Sequence, residues 1–253
     1  MIVLQSTPAA CLLRIRQTGV LPPAAEHDLN AALADSRLVE PRQDIVVEGR
    51  PSDLVVALLD GFACRYKTVA RGRRQITGLL LPGDFEDTQP ALGGVPDHSV
   101  ATVTACRVAM VPRRVLERLF RDHKAIEYGF QCFTQVELRT LREWLLNMGQ
   151  RMADRQVAHL FCELLHRMGD IAMVVDRSFS LPFTQEELAD VLGLSTVHVN
   201  RVLQELRRAG LIRLDQRRLT IVDYDALRIL GEFDPAYLEM PGPIGASLAP
   251  ARY

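Results

Sequence analysis

TQEELADVLGLSTVHVNRVLQELRRAG, residues 184–210, reads as two short helices joined by a turn at Leu192-Gly193-Leu194-Ser195. Thr184 and Glu187 have the spacing of a capping box: the hydroxyl accepts from an amide three residues on, and the carboxylate reaches back to the Thr184 amide. Leu188, Ala189, Val191 and Leu192 give the first helix one apolar face, and Gly193 supplies a permissive position at its end. Ser195 restarts a helix at once as its N-cap. Val199, Val202, Leu203 and Leu206 fall at i, i+3, i+4 and i+7 and are expected to face inward. The other side presents Thr196, Val197, His198, Asn200, Arg201, Gln204 and Arg208. Hydroxyl, amide and guanidinium donors beside a branched apolar group are what a helix lying in a DNA major groove needs. A plain helical hairpin with a solvated polar face is the competing reading; caps, turn and donor set together favour the groove-binding one.

The flanks extend the motif. Asp154 is expected to cap a helix whose core face is Val157, Leu160, Phe161, Leu164, Leu165 and Met168. Ile171–Val175 and Phe179–Phe183 read as short strands around Asp176-Arg177-Ser178, and Leu211–Leu214 with Leu219–Val222 as a hairpin. Helix, hairpin, two helices and hairpin describe a winged helix-turn-helix. The whole chain carries a net charge of only −1, but Ser195–Arg218 holds six arginines against Glu205 and Asp215. Attraction to phosphate depends on the local field of the contacting face. Beyond Phe233, Pro241, Pro243 and Pro250 among small residues predict a flexible extension.

The N-terminal half has a different grammar. After a helical lead-in at Glu26–Leu33, glycines recur at 49, 61, 72 and 83 between strand-like runs at Leu54–Leu59, Phe62–Val69 and Arg74–Leu81. Ser99–Val111 is strand-like again. Regular short strands with Gly turns predict an antiparallel roll of the jelly-roll type. From Pro112 to Gly149 the period becomes helical. The stripe Ile126, Phe130, Phe133, Val136, Leu141, Trp144, Leu145 and Met148 is long enough to need a partner. Ile126, Phe130, Phe133, Leu141, Trp144 and Met148 are therefore expected at a dimer interface, with the helix also packing on its own roll. The fold class is α+β, divided into a sensor-like roll (1–122), a dimerisation helix (123–150), a winged domain (151–232) and an extension (233–253).

The 253-residue chain has room for two domains. No apolar run reaches membrane-spanning length and no secretory signal opens the chain, so a cytoplasmic location is expected. Cys11, Cys64, Cys106, Cys132 and Cys162 are too widely spaced for a metal knuckle and read as reduced, structural thiols.

This order resembles the CRP/FNR superfamily of bacterial transcription regulators over residues 30–225. The most specific stretches are LPGDF at Leu81–Phe85 and the text from Phe183 to Ile212. The resemblance implies a homodimer whose recognition helices enter successive major grooves about 34 Å apart, on an inverted-repeat operator. It also implies RNA polymerase as a partner if the protein activates. The effector-pocket positions it points to are Gly83, Asp84, Phe85, Thr88, His98 and Ser99. Where cyclic-nucleotide binders carry a ribose-binding Glu this chain has Thr88, and His98 stands where they carry a phosphate-clamping Arg. A neutral imidazole does not replace a bidentate cation, which argues against cyclic AMP. Cys11 alone lies near the N-terminus, which argues against an iron–sulfur centre. His98, His27 or a cysteine leaves haem open; no cofactor is predicted, and the effector is unassigned.

On the DNA side, Arg201 matches the family's guanine-reading Arg. Val197 replaces a cytosine-reading Glu and can touch a thymine methyl; Asn200 can read adenine or bond phosphate. Thr184, Gln185, Ser195 and Thr196 are phosphate candidates at helix N-termini, and Arg217 and Arg218 from the wing. A ligand-binding protein whose winged domain serves protein contacts is the alternative. An enzyme built on His98, Asp84, Asp87 and Asp97 lacks a nucleophile motif or metal pair.

Overall fold

The computed structural model describes residues 9–70, 72–89 and 94–241. Two helices, α1 (Ala9–Arg16) and α2 (Pro23–Ala32), precede seven strands: β1 (Ser36–Val39), β2 (Asp44–Val46), β3 (Leu54–Asp60), β4 (Ala63–Thr68), β5 (Arg74–Leu80), β6 (Ser99–Thr102) and β7 (Cys106–Pro112). They form two antiparallel sheets of order β1-β7-β3 and β2-β6-β4-β5. Side chains alternate along β3, and both sets are covered. Val56 and Leu58 meet Val46, Leu80, Val100 and Val108 between the sheets. Val55, Ala57 and Leu59 face the helices beside Ala109 and Val111. That double burial explains why Leu54–Leu59 is apolar without alternation.

Ser99–Val111, read as one strand, is two strands in different sheets. The chain turns the corner at Val103–Ala105. There the Thr104 hydroxyl accepts from the Phe62 amide at 2.9 Å, and the Val103 and Thr104 amides both donate to the Phe62 carbonyl. Hydrogen bonds to the β3–β4 connection replace the ladder for three residues.

Helix α3 (Arg113–Asp122) leads into the long α4 (Lys124–Gln150), then α5 (Ala153–Gly169), β8 (Ser178–Ser180), α6 (Gln185–Leu192), α7 (Thr196–Arg208), β9 (Ile212–Asp215), β10 (Arg218–Ile221) and α8 (Tyr224–Leu230). The three strands make a sheet of order β8-β10-β9. Of the two strands expected at Ile171–Val175 and Phe179–Phe183, only Ser178–Ser180 pairs as a strand, with a single bridge from Val175. Asp176 and Arg177 take φ of 49° and 55°, so the chain reverses in a tight two-residue turn. Pro182 then offers no amide to prolong the second run. Met152, not Asp154, occupies the N-cap position of α5, and Asp154 lies in its first turn, where a carboxylate favours the helix dipole.

The extension is ordered further than its composition predicts. Phe233 and Leu238 are buried, and Pro235–Tyr237 forms a 3-10 turn. The Tyr237 hydroxyl donates to the buried Glu163 carboxylate at 2.8 Å. Apolar anchors outweigh the prolines as far as Pro241; residues 242–253 lie outside the described residues.

The roll and the winged domain share one core. Phe62, Cys64, Ile76, Leu79 and Leu81 pack with Trp144 and the inner faces of α5, α6 and α7. Arg74 of β5 pairs with Asp190 of α6 at 2.9 Å, and the Gln75 amide donates to the Asp190 carbonyl at 2.6 Å.

Candidate nucleic-acid interface

The caps read in the sequence are formed. The Glu187 amide donates to the Thr184 hydroxyl at 3.1 Å, and the Glu187 carboxylate accepts from the Thr184 amide at 2.7 Å and its hydroxyl at 3.0 Å. Gly193 sits at φ 66°, the left-handed conformation that ends α6. Ser195 Oγ accepts from the His198 amide at 3.3 Å. Val199, Val202, Leu203 and Leu206 are buried, which fixes the rotation of α7 and holds its other side outward.

That outer side is open. Val197 is 77% exposed, and the Arg201 side chain is 63% exposed, with only a long 3.9 Å contact to Glu205. Thr196, His198, Gln204, Arg207 and Arg208 are exposed as well. The first turn of α7 contains no acidic residue, so its positive dipole end is not neutralised. Gln185, Thr196, Val197, Asn200, Arg201 and Gln204 line one shallow groove. Thr184 is placed differently: its hydroxyl is spent in the cap, and it borders a recess shared with Arg42 and Val103–Ala105 of the roll.

The wing is a β-hairpin closed by Gln216 and Arg217, at φ 45° and 62°, between the paired Asp215 and Arg218. Two consecutive positive φ values match the right-handed twist of the flanking strands. Arg213, Arg217 and Arg218 are exposed, and Arg218 also reaches the Ser178 carbonyl at 3.5 Å. Arg217 borders the roll-facing recess, so its tip stands between the roll and the open side.

The residues read as an effector pocket divide. Asp84, Phe85 and Thr88 line a cleft of about 80 Å³ between β4–β5 and α4. His98 and Ser99 do not line it. His98 Nδ1 lies 2.7 Å from the Asp97 carboxylate, and Ser99 Oγ accepts from the Glu48 amide at 2.9 Å. Gly83, at φ 95°, passes under α1, where a Cβ would lie 2.7 Å from the Ala10 carbonyl. Asp84 holds the structure together: it pairs with Arg14 at 2.7 Å and Arg167 at 3.1 Å and accepts from the Leu81 amide at 2.8 Å. Burial alone would raise its carboxyl, but the two guanidiniums hold it below the usual carboxylate range. Arg65, which the sequence did not single out, occupies the cleft. It donates to the Phe85 and Glu86 carbonyls at 2.9 Å and pairs with Glu137 of α4 at 3.3 Å.

The stripe on α4 divides too. Ile126, Phe130, Phe133 and Trp144, expected at a dimer interface, are buried in the subunit's own core. Phe133 is 8% exposed and lies with Phe130 against Phe85, while the Trp144 indole donates to Glu163 at 2.8 Å. Each such ring contributes about 2–3 kcal/mol by leaving water, so the roll holds them firmly. Leu141 and Met148 remain exposed, joined by Leu138 and Leu145. Residues 138, 141, 145 and 148 follow at alternating steps of three and four, and Met152, 73% exposed, lies just past the helix end. A 3–4 repeat was readable in the sequence, but the aromatic residues beside it are larger and drew the stripe toward themselves.

All five cysteines are buried. Burial pushes the Cys11 and Cys162 thiols up to about 12 and Cys64 to about 11, far from thiolate chemistry. Among the described residues, no cluster of three His, Cys, Asp or Glu side chains could hold a metal ion, and no helix is long and apolar enough to cross a membrane.

A two-sheet roll, a long helix and a winged domain with an open arginine-bearing helix define a DNA-binding transcription regulator. Residues 36–123 match the model of the cyclic nucleotide-binding domain, and residues 155–230 that of the Crp-like helix-turn-helix domain. The chain is 33% identical over 195 residues to the transcriptional activator protein FnrL of Cereibacter sphaeroides, covering 75% of this chain and 77% of that protein. It is 30% identical over 219 residues to the transcriptional activatory protein AadR of Rhodopseudomonas palustris, covering 83% and 87%. The structure of FixK2 from Bradyrhizobium japonicum superposes with a TM-score of 0.69 at 24% identity, over 78% of this chain and 96% of that one. The protein belongs to the CRP/FNR family of transcription regulators.

Proposed function

We propose that the chain regulates transcription in the cytoplasm as a homodimer that reads an inverted-repeat operator, one half-site per α7. The observation that carries this reading is the outward face of α7: an exposed guanidinium with only a long 3.9 Å contact to Glu205, amides and an apolar Val197, held in place by caps on one side and a buried stripe on the other. Arg201 takes guanine O6 and N7, and Val197 packs on a thymine methyl. Arg218 and Arg217 from the wing, with Gln185, Ser195 and Thr196 at helix N-termini, lie on phosphates. The exposed 3–4 row Leu138, Leu141, Leu145 and Met148 supports pairing of α4 with its copy, because that spacing suits a coiled-coil seam. RNA polymerase is the further partner if the protein activates.

The effector cleft supports action without a nucleotide. Arg65 fills it, hydrogen-bonded to two carbonyls and paired with Glu137 across to α4, and about 80 Å³ is far below the 300–1,000 Å³ typical of ligand sites. The deciding experiment is selection of bound duplexes from a random pool with purified protein and no added ligand. An enriched inverted repeat with half-site centres about 10–10.5 base pairs apart, or a multiple of that, is expected. Enrichment of a single asymmetric site, or none, would overturn the reading.

A further inference from the structure

The Asn200 side chain, on the outer face of α7, is already oriented by hydrogen bonds at both ends of its amide. Its Nδ2 donates to Gln185 Oε1 at 2.9 Å, and its Oδ1 accepts from Gln204 Nε2 at 2.7 Å. Gln204 Oε1 in turn lies 3.5 Å from the Arg208 guanidinium. The relay therefore runs from the first residue of α6 along the open side of α7, and it leaves Asn200 half-buried between exposed neighbours. An asparagine amide has two N–H donors and two acceptor lone pairs. Gln185 and Gln204 take one of each. What remains is one N–H and one lone pair, the complement of adenine N7 and N6–H in the major groove. A phosphate accepts hydrogen bonds only and would leave the remaining lone pair unused.

We propose that Asn200 reads an adenine by a bidentate contact, with Gln185 as the residue that positions its amide. This rests on the operator-binding reading above and adds one fixed letter to each half-site, next to the guanine read by Arg201. Preorganisation carries the selectivity. A free Asn amide can turn over and present its groups in either order, whereas an amide held from both sides offers the donor and the acceptor in one order only, so other bases meet a mismatch. Gln185 thereby acts on specificity from a helix that does not itself lie along the base edges.

The test uses full-length protein and the duplex recovered by selection, with each adenine replaced in turn by 7-deazaadenine, which lacks the N7 acceptor. One position per half-site is expected to weaken wild-type binding about 5–150-fold. Asn200→Ala should bind the unmodified operator more weakly and show no further loss at that position. Gln185→Met, which removes the acceptor, should shrink the 7-deaza effect, read within that variant as the ratio of its affinities for the unmodified and the modified operator. Gln185→Glu, which keeps an acceptor oxygen, should restore the effect even though its charge lowers overall affinity. An operator that binds well but shows no adenine whose N7 matters, or a 7-deaza effect that survives in Asn200→Ala, overturns the inference and leaves operator binding standing. Failure to recover any operator would instead sink the proposed function.

Discussion

Two single residues carry most of the weight, one at the interface and one in the core. Arg201 is exposed and only loosely tethered, so its guanidinium is free to meet a guanine edge. Arg201→Ala should cost about 1–3 kcal/mol on the selected operator and relax preference at one base pair per half-site. A uniform loss on all sequences, measured by competition binding, would make it a phosphate contact instead. Asp84 does the opposite kind of work, because its carboxylate joins Arg14 of α1, Arg167 of α5 and the turn that bears it. Its folded pKa lies below the usual carboxylate value, so the stability it confers is present above about pH 4. That stability is lost as pH falls through the depressed folded value. Asp84→Asn should lower stability by about 3 kcal/mol at neutral pH, since Arg14 loses its counter-ion and Arg167 keeps only Glu163, and should flatten the acid limb of a urea-unfolding series. An unchanged acid limb would show that other carboxylates set it.

At the scale of elements, α6 and α7 were legible because their signals are local: a capping box, a left-handed glycine and a second cap lie within a dozen residues. The short strands β1 and β2 were not, since three or four residues are too few to show a period and their pairing with β7 and β6 is a long-range matter. The long helix was half legible. Its periodicity showed that a stripe would be covered, and periodicity alone does not say by what. Phe130 and Phe133 went to Phe85 of the same chain, while Leu138, Leu141, Leu145 and Met148 stayed open. The site was read in similar measure: the face of α7 could be assigned from spacing, whereas Arg65 in the cleft depends on how β4 meets α4. Two substitutions separate the roles on α4. Leu145→Glu, at a residue 70% exposed, should leave the circular-dichroism melt near wild type but move sedimentation toward monomer and weaken palindrome binding. Phe133→Glu should lower the melting temperature first, because it buries a charge against Phe85. If Leu145→Glu remains a dimer, the seam lies elsewhere.

At the scale of the whole molecule, the proposed homodimer turns on how rigidly its two recognition helices are spaced. In a two-fold dimer that spacing depends on the α4 seam and on the clamp between winged domain and roll. The clamp is explicit: Arg74 pairs with Asp190 at 2.9 Å, Gln75 donates to the Asp190 and Val191 carbonyls at 2.6 and 3.3 Å, and Arg167 donates to the Leu79 carbonyl at 2.8 Å. The first two fasten α6 itself, the helix against which α7 is packed. Inserting one base pair between half-sites turns one of them by roughly 34–36° about the duplex axis, since a turn holds 10–10.5 base pairs. A stiff protein meets that change by losing contacts in one half-site; a loosely hinged one follows it. Arg74→Ala combined with Gln75→Ala should therefore bind the selected operator more weakly, because the winged domain must now be ordered on binding. The same variant should lose less than wild type when one base pair is inserted or removed at the centre. Gel-shift titrations on three duplexes of different spacing decide it. Identical spacing profiles for the two proteins would show that the α4 seam alone sets the distance between the reading heads.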